Sequence, residues 1–188
     1  MSAHIIILLD QSGSMNLLDD QPLKAVNNIL NTKFNNSDCY FSLYKFNDYV
    51  TPEFNFTQIP QWFEYQPIGR TALFDALGDA IDTNSLIDMT TVCIVITDGC
   101  DNASKHYKLP EIKQKIQILE DNNWSFVFMV SEQEYKDINY TANMFGLPAN
   151  RFLSFNTNTQ QELLNVTQKI TDEISTQDAF NLFKNFNI

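Results

Sequence analysis

Two short stretches of the chain are apolar at every position and then break on an aspartate. Ile5 to Leu9 stops at Asp10 in HIIILLDQSGSM, and Val92 to Ile96 stops at Thr97 and Asp98 in TTVCIVITDGCDNAS. Runs of five without alternation suit strands covered on both faces. The small and polar residues that follow suit strands delivering their chain to the carboxyl edge of a sheet, where open α/β folds bind ligands. Trp124 to Val130 and the shorter Arg151 to Phe155 repeat the strand pattern. Cys39 to Phe46 is another strand, with Asn47 and Asp48 as turn residues. Tyr49 to Ile59 reads as an edge strand, the position to which Pro52 confines it.

Between these runs the apolar spacing changes to that of helices. Leu23, Val26, Leu30 and Phe34 share a face, and Pro22 suits the first turn. A helix from Thr71 carries Leu73, Leu77, Ala80 and Ile81. Ile112, Ile116 and Leu119 mark the next, and Tyr135, Ile138, Ala142 and Phe145 another that Gly146 and Pro148 close. Leu163, Val166, Ile170 and Ile174 give a long final helix. Alternation of strand and helix predicts an α/β fold: a doubly wound, mostly parallel central sheet with helices on both faces and one antiparallel edge strand. Residues 1–188 are expected to form one domain. Its tail, 176–188, with Phe180, Phe183 and Phe186 at helical spacing, either extends the last helix or docks elsewhere.

Composition narrows the function. With 44% hydrophobic residues in 188, the chain suits one ordinary core. A formal charge of −11 excludes the positive surface that nucleic-acid binding needs and favours a cation or a basic surface. No run is long enough to span a bilayer, and none resembles a secretory signal. Cys39, Cys93 and Cys100 are odd in number and show no CxxC spacing, so neither a disulfide framework nor a zinc site is expected. A cytoplasmic protein with reduced thiols, monomeric when unbound, is the expectation.

The strand ends carry the candidate chemistry. Asp10, Ser12 and Ser14 come from one loop, Thr71 from a second and Asp98 from a third. All five offer oxygen, which suits Mg2+, Mn2+ or Ca2+ rather than zinc. In D-x-S-x-S, alternate residues of an extended turn point one way, and Gly13 lets the backbone fold round an ion. Alone this spacing also describes a polar turn capping the next helix. Joined to P-x-G-x-T at Pro67 to Thr71 and T-D-G at Thr97 to Gly99, it points to a metal site.

On these three motifs, DQSGSM, GRTALFDAL and VITDGCDNAS, the chain resembles the von Willebrand factor A domains with a metal-ion-dependent adhesion site. NNWSFVFMVSEQE and TANMFGLPANRFLSF look like the intracellular prokaryotic and viral branch. The resemblance implies that Ser12, Ser14 and Thr71 touch the metal or exchange with water, that Asp10 and Asp98 bind it directly or through water, and that an open position takes an Asp or Glu of a partner protein. Cys100 departs from the charged or polar residue of many relatives without touching the motif.

Three further groups stay open. Asp75 and Asp101 either support the metal loops or solvate a helix turn and loop. Trp62, Phe63 and Tyr65, just before the threonine motif, either ring the metal as an interface or pack beneath the loop. Cys100 is expected to be inert, since the neighbouring aspartate raises its thiol pKa, and His4 and His106 have no catalytic motif. The rival reading is a magnesium phosphatase with Asp10 as nucleophile. Haloacid-dehalogenase-like enzymes need a second aspartate two residues on, where this chain has Ser12, and a downstream lysine with an acidic pair. Without those groups a metal-dependent protein-binding module, not an enzyme, is expected.

Overall fold

The computed structural model describes residues 2–32, 38–159 and 161–176. Phe34 and the phenylalanines of the tail lie outside them. Six strands, β1 (Ala3–Asp10), β2 (Cys39–Phe46), β3 (Val50–Thr57), β4 (Thr90–Thr97), β5 (Trp124–Ser131) and β6 (Phe152–Phe155), form one sheet in the order β3-β2-β1-β4-β5-β6. All neighbours are parallel except β2 and β3, so the antiparallel edge is at β3, with Pro52 in it.

The unbroken apolar runs are explained by two-sided burial. In β1, Ile5, Ile7 and Leu9 face the core that holds α1 (Gln21–Leu30) and α5 (Glu162–Thr176). Ile6 and Leu8 face the opposite core, under α2 (Leu73–Asn84), α3 (Leu109–Glu120) and α4 (Ile138–Phe145). β4 divides the same way, Val92, Ile94 and Ile96 on one side, Cys93 and Val95 on the other. Successive strand side chains point to opposite faces, so a strand with helices over both must be apolar throughout.

The chain leaves β1 toward β2 and β3, then crosses back to β4 on the far side of β1. This reversal makes the carboxyl ends of β1 and β4 the switch point of the sheet, where adjacent loops part and leave a crevice. Asp10 ends β1, and Asp98 follows β4 directly.

Several boundaries differ from expectation. α2 starts at Leu73, not Thr71, and α4 at Ile138, where the Asp137 side chain accepts from the Tyr140 N–H at 2.9 Å; Tyr135 therefore lies in the preceding turn. β6 starts at Phe152 because Ala149–Arg151 is a short 3-10 turn. Gly146 closes α4 in the left-handed region, φ 75°, as a C-terminal glycine does.

Candidate functional site

Asp10 is completely buried at the tip of β1. One carboxylate oxygen accepts the Ser12 N–H at 2.7 Å, an aspartate turn that swings the chain back over the strand end. The other accepts the Thr97 hydroxyl of β4 at 2.5 Å. Its carbonyl accepts the Tyr65 hydroxyl at 2.8 Å. From the same loop, the Ser14 hydroxyl donates to Asp98 at 2.7 Å and lies 3.2 Å from that of Ser12. The loops of β1 and β4 are thus joined by polar atoms above the sheet.

Thr71 comes from the third loop. The N–H of Gly13 donates to the Gly69 carbonyl at 3.0 Å, which ties this loop to the first. Gly69 has φ 84°, and a Cβ there would run into the Asp48 carboxylate that holds the Arg70 N–H and Nε. The Thr71 N–H donates to Asn102 Oδ1 at 2.9 Å, while its carbonyl accepts the N–H groups of Asn102 and Ala103. Its hydroxyl lies against Gly99, where a Cβ would stand 3.4 Å away. Ser14, Thr71 and Asp98 accordingly line one open cleft of about 530 Å³.

Burial raises the Asp10 carboxyl to about 7, against the pull of the Thr97 and Ser12 hydrogen bonds, and raises that of Asp98 as well. Among the described residues neither forms an ion pair with a lysine, arginine or histidine. Two carboxylates raised by burial, with the hydroxyls of Ser12, Ser14 and Thr71 on the adjoining loops, form an all-oxygen donor set of the kind that suits a hard cation. No cluster of three or more His, Cys, Asp or Glu able to hold a metal occurs among the described residues; the oxygens at this switch point are those of two carboxylates and three hydroxyls. This donor set fits Mg2+, Mn2+ or Ca2+ and does not fit zinc.

Asp75 stands behind the cleft and Asp101 on its wall. Asp75, in the first turn of α2, accepts the N–H groups of Lys105, His106 and Tyr107 at 2.8 to 2.9 Å. Burial alone would raise its carboxyl; these three donors take it below the usual carboxylate range. Asp101 accepts the Phe74 N–H and the Ser104 hydroxyl, and Ser104 Oγ accepts the Asp75 N–H at 3.0 Å. The loop after β4 therefore caps α2 and fixes the turn that carries Thr71. Of the aromatic group, Phe63 is buried in the core beneath, Tyr65 is half-buried under Asp10, and Trp62 is 81% exposed. Cys100 is exposed at the residue level, and partial desolvation of its sulfur, with the Glu134 and Asp101 carboxylates near it, raises its thiol pKa.

Thr97, Asn102, Ser104 and Tyr135 make contacts at the candidate site that the sequence did not reveal. Tyr135 donates to the Gly99 carbonyl at 2.9 Å, as Tyr65 does to that of Asp10. The signal for Asn102 and Ser104 was the polar run DNAS after the second aspartate; Tyr135 carried none, since its spacing also suits a helix face.

A Rossmann-like α/β sheet with Asp10 and Asp98 at the ends of its two switch-point strands, and a crevice there lined by Ser14, Thr71 and Asp98, points to the class. The von Willebrand factor type A domain model matches residues 4–173, and the chain belongs to that family. Its members are mostly adhesion or interaction modules, and they often bind a divalent metal. No curated protein matches the chain in sequence. Among solved structures it is similar to proximal thread matrix protein 1 from the mussel byssus, with 16% identity, a TM-score of 0.66, and coverage of 90% of this chain and 45% of that one. The SpRpn10 VWA domain has 12% identity and a TM-score of 0.65, over 95% of this chain and 98% of that one. Manganese-loaded Plasmodium vivax TRAP protein has 16% identity and a TM-score of 0.56, over 84% and 69%. The chain thus spans less than half the length of the mussel protein. Among the described residues no helix is long and apolar enough to cross a membrane.

Proposed function

We propose that this domain binds a partner protein through a divalent cation held in a metal-ion-dependent adhesion site. Asp10, Ser12, Ser14, Thr71 and Asp98 would hold the ion, and an Asp or Glu of the partner would complete it. The observation that carries this is the meeting of two buried carboxylates and three hydroxyls at the switch point without a counter-charge. When bound, the cation supplies a Lewis-acid position for the partner's carboxylate. Ser14 and Asp98 already touch, Asp10 orients the turn of Ser12, and the capped start of α2 presents Thr71 to the same cleft.

The phosphatase reading is weaker here. Asp10 is buried, and its two oxygens are held by Ser12 and Thr97, which hinders attack on a phosphate ester. Magnesium and manganese are the preferred ions; the manganese-loaded neighbour supports the second. An odd number of cysteines without CxxC spacing supports a cytoplasmic setting, in line with the intracellular branch that the motifs resemble.

The test is Mn2+ binding followed by electron paramagnetic resonance, which separates free from bound ion. Wild type is expected to bind one Mn2+ and to release it to excess Mg2+, whereas Asp98→Ala binds none. In pull-downs from the native host, a Mg2+-dependent partner is expected to be lost with chelator and with Thr71→Ala bait. Equal recovery under all three conditions would place the contact elsewhere.

A further inference from the structure

The cleft continues past Cys100 and Asp101 into a second hollow of about 380 Å³, between the first turn of α2 and α4. Its floor is apolar, built from Leu73 and Phe74 of α2, Met144 and Phe145 of α4, and Tyr135. Phe74 and Met144 are only half-buried, and Tyr140 on the rim is 65% exposed. Both hollows are lined by Cys100, Asp101 and Glu134, so one surface leads from Asp98 into the groove. Asp101, Glu134 and Asp137 on the rim outnumber Lys136. Tyr135 lines the groove with its ring and holds the Gly99 carbonyl, next to Asp98, with its hydroxyl.

We infer that this groove receives a large apolar side chain from the same partner segment whose carboxylate completes the cation site, with a neighbouring Lys or Arg meeting Glu134 and Asp137. The inference rests on the proposed metal site and adds a sequence class for the partner: an acidic residue with a bulky apolar and a basic residue close to it. Exposed acids occur on most proteins, so carboxylate capture alone selects no partner, and selection falls to the contacts beside it. A chain of net charge −11 repels an acidic segment unless a cation offsets it, and the rim acids are placed to take that cation. Apolar floor and charged rim are also the anatomy of a contact hot spot.

A phage-displayed pool of dodecapeptides, each with one fixed Asp and the other positions random, is panned over the 188-residue chain in Mg2+ and eluted with chelator. The eluted pool is expected to be enriched in Phe, Leu, Met or Trp within four positions of the Asp, with Lys or Arg beside it. A synthetic peptide from that pool should bind Met144→Lys and Tyr140→Glu at least tenfold more weakly than wild type; Tyr140 is exposed, so its variant tests the groove even if Met144→Lys does not fold. Glu134→Lys should lose the preference for the basic residue. Peptides that need Mg2+ but bind all variants equally would overturn the groove and leave the metal site standing. Peptides indifferent to chelator would overturn the metal site itself, and a pool with no Mg2+-dependent member would overturn the groove inference.

Discussion

A buried carboxylate without a cation destabilises the fold that contains it, and two such groups stand at the switch point, Asp98 lining the cleft and Asp10 beneath it at the end of β1. An ion that binds the folded chain alone stabilises it, by about 2.7 kcal/mol at a hundredfold excess over its dissociation constant. Mg2+ is therefore expected to raise the melting temperature of wild type, and Asp98→Ala to melt at one temperature with or without it. Thermal melts over millimolar Mg2+ check this; equal shifts in both proteins would mean that the ion stabilises from another place. The five candidate residues were legible in the sequence because each stands in a short motif beside a strand end or helix start. Thr97 was not read as a partner of Asp10, although the two hydroxyl and carboxylate atoms are 2.5 Å apart, because 87 positions separate them. Local pattern shows which side chains reach an edge; it does not show which of them hold one another.

At the scale of elements the same limit explains the shifted helix starts. Periodicity located the five α-helices of the described residues, but α2 has no side-chain cap of its own at Ala72. Its first-turn N–H groups are met from the loop after β4, by Asp101 and Ser104, and Asp75 returns the arrangement by accepting three N–H groups of residues 105–107. Such reciprocal capping across 30 residues leaves no signature at the helix itself. Its strength is testable. Asp75→Ala would leave three backbone donors without their acceptor and is expected to cost about 2 to 3 kcal/mol. Asp75→Asn, which keeps an acceptor oxygen and loses the charge, is expected to cost less. Urea unfolding midpoints check both, and Mn2+ affinity measured alongside should weaken in Asp75→Ala, because the loop that loosens also holds Thr71. An unchanged midpoint in Asp75→Ala would show that water replaces the carboxylate without loss.

For the whole molecule, the order of apolar runs was enough to give the parallel sheet and its helices, because strands buried on both faces need helices over both. It also placed the antiparallel edge, where Pro52 allowed nothing more central, but not what that edge covers. β3 is irregular against β2, and Phe56 at φ 50° lays its ring on Tyr40, 4.3 Å between centroids, and meets His4 edge-on at 5.2 Å. Beneath it the Ser42 hydroxyl donates to Asn55 at 2.5 Å and so accepts from His4 Nε2, at 2.8 Å, leaving His4 Nδ1 buried without a partner. Burial lowers the His4 pKa from 6.5 to about 4. Between those values the unfolded chain takes up a proton that the folded chain cannot, so this histidine's contribution to stability falls as the pH drops from 6.5 to 4, by about 3 kcal/mol in all. Asp10 opposes it: its folded pKa is raised from 3.8 to about 7, so protonation on acidification favours the fold throughout that range. Wild type alone would show only the difference of the two. Comparison with His4→Gln, which cannot titrate, isolates the histidine, and the gap between the two proteins' unfolding free energies is expected to move by about 3 kcal/mol between pH 7 and pH 4, to the disadvantage of wild type. Denaturant titrations at half-unit steps of pH check this, in chelator so that no ion acts on Asp10. A gap that stays constant would mean that His4 finds an acceptor for its second N–H when protonated, most simply by movement of the Phe56 bulge, and that the edge strand yields before the core does.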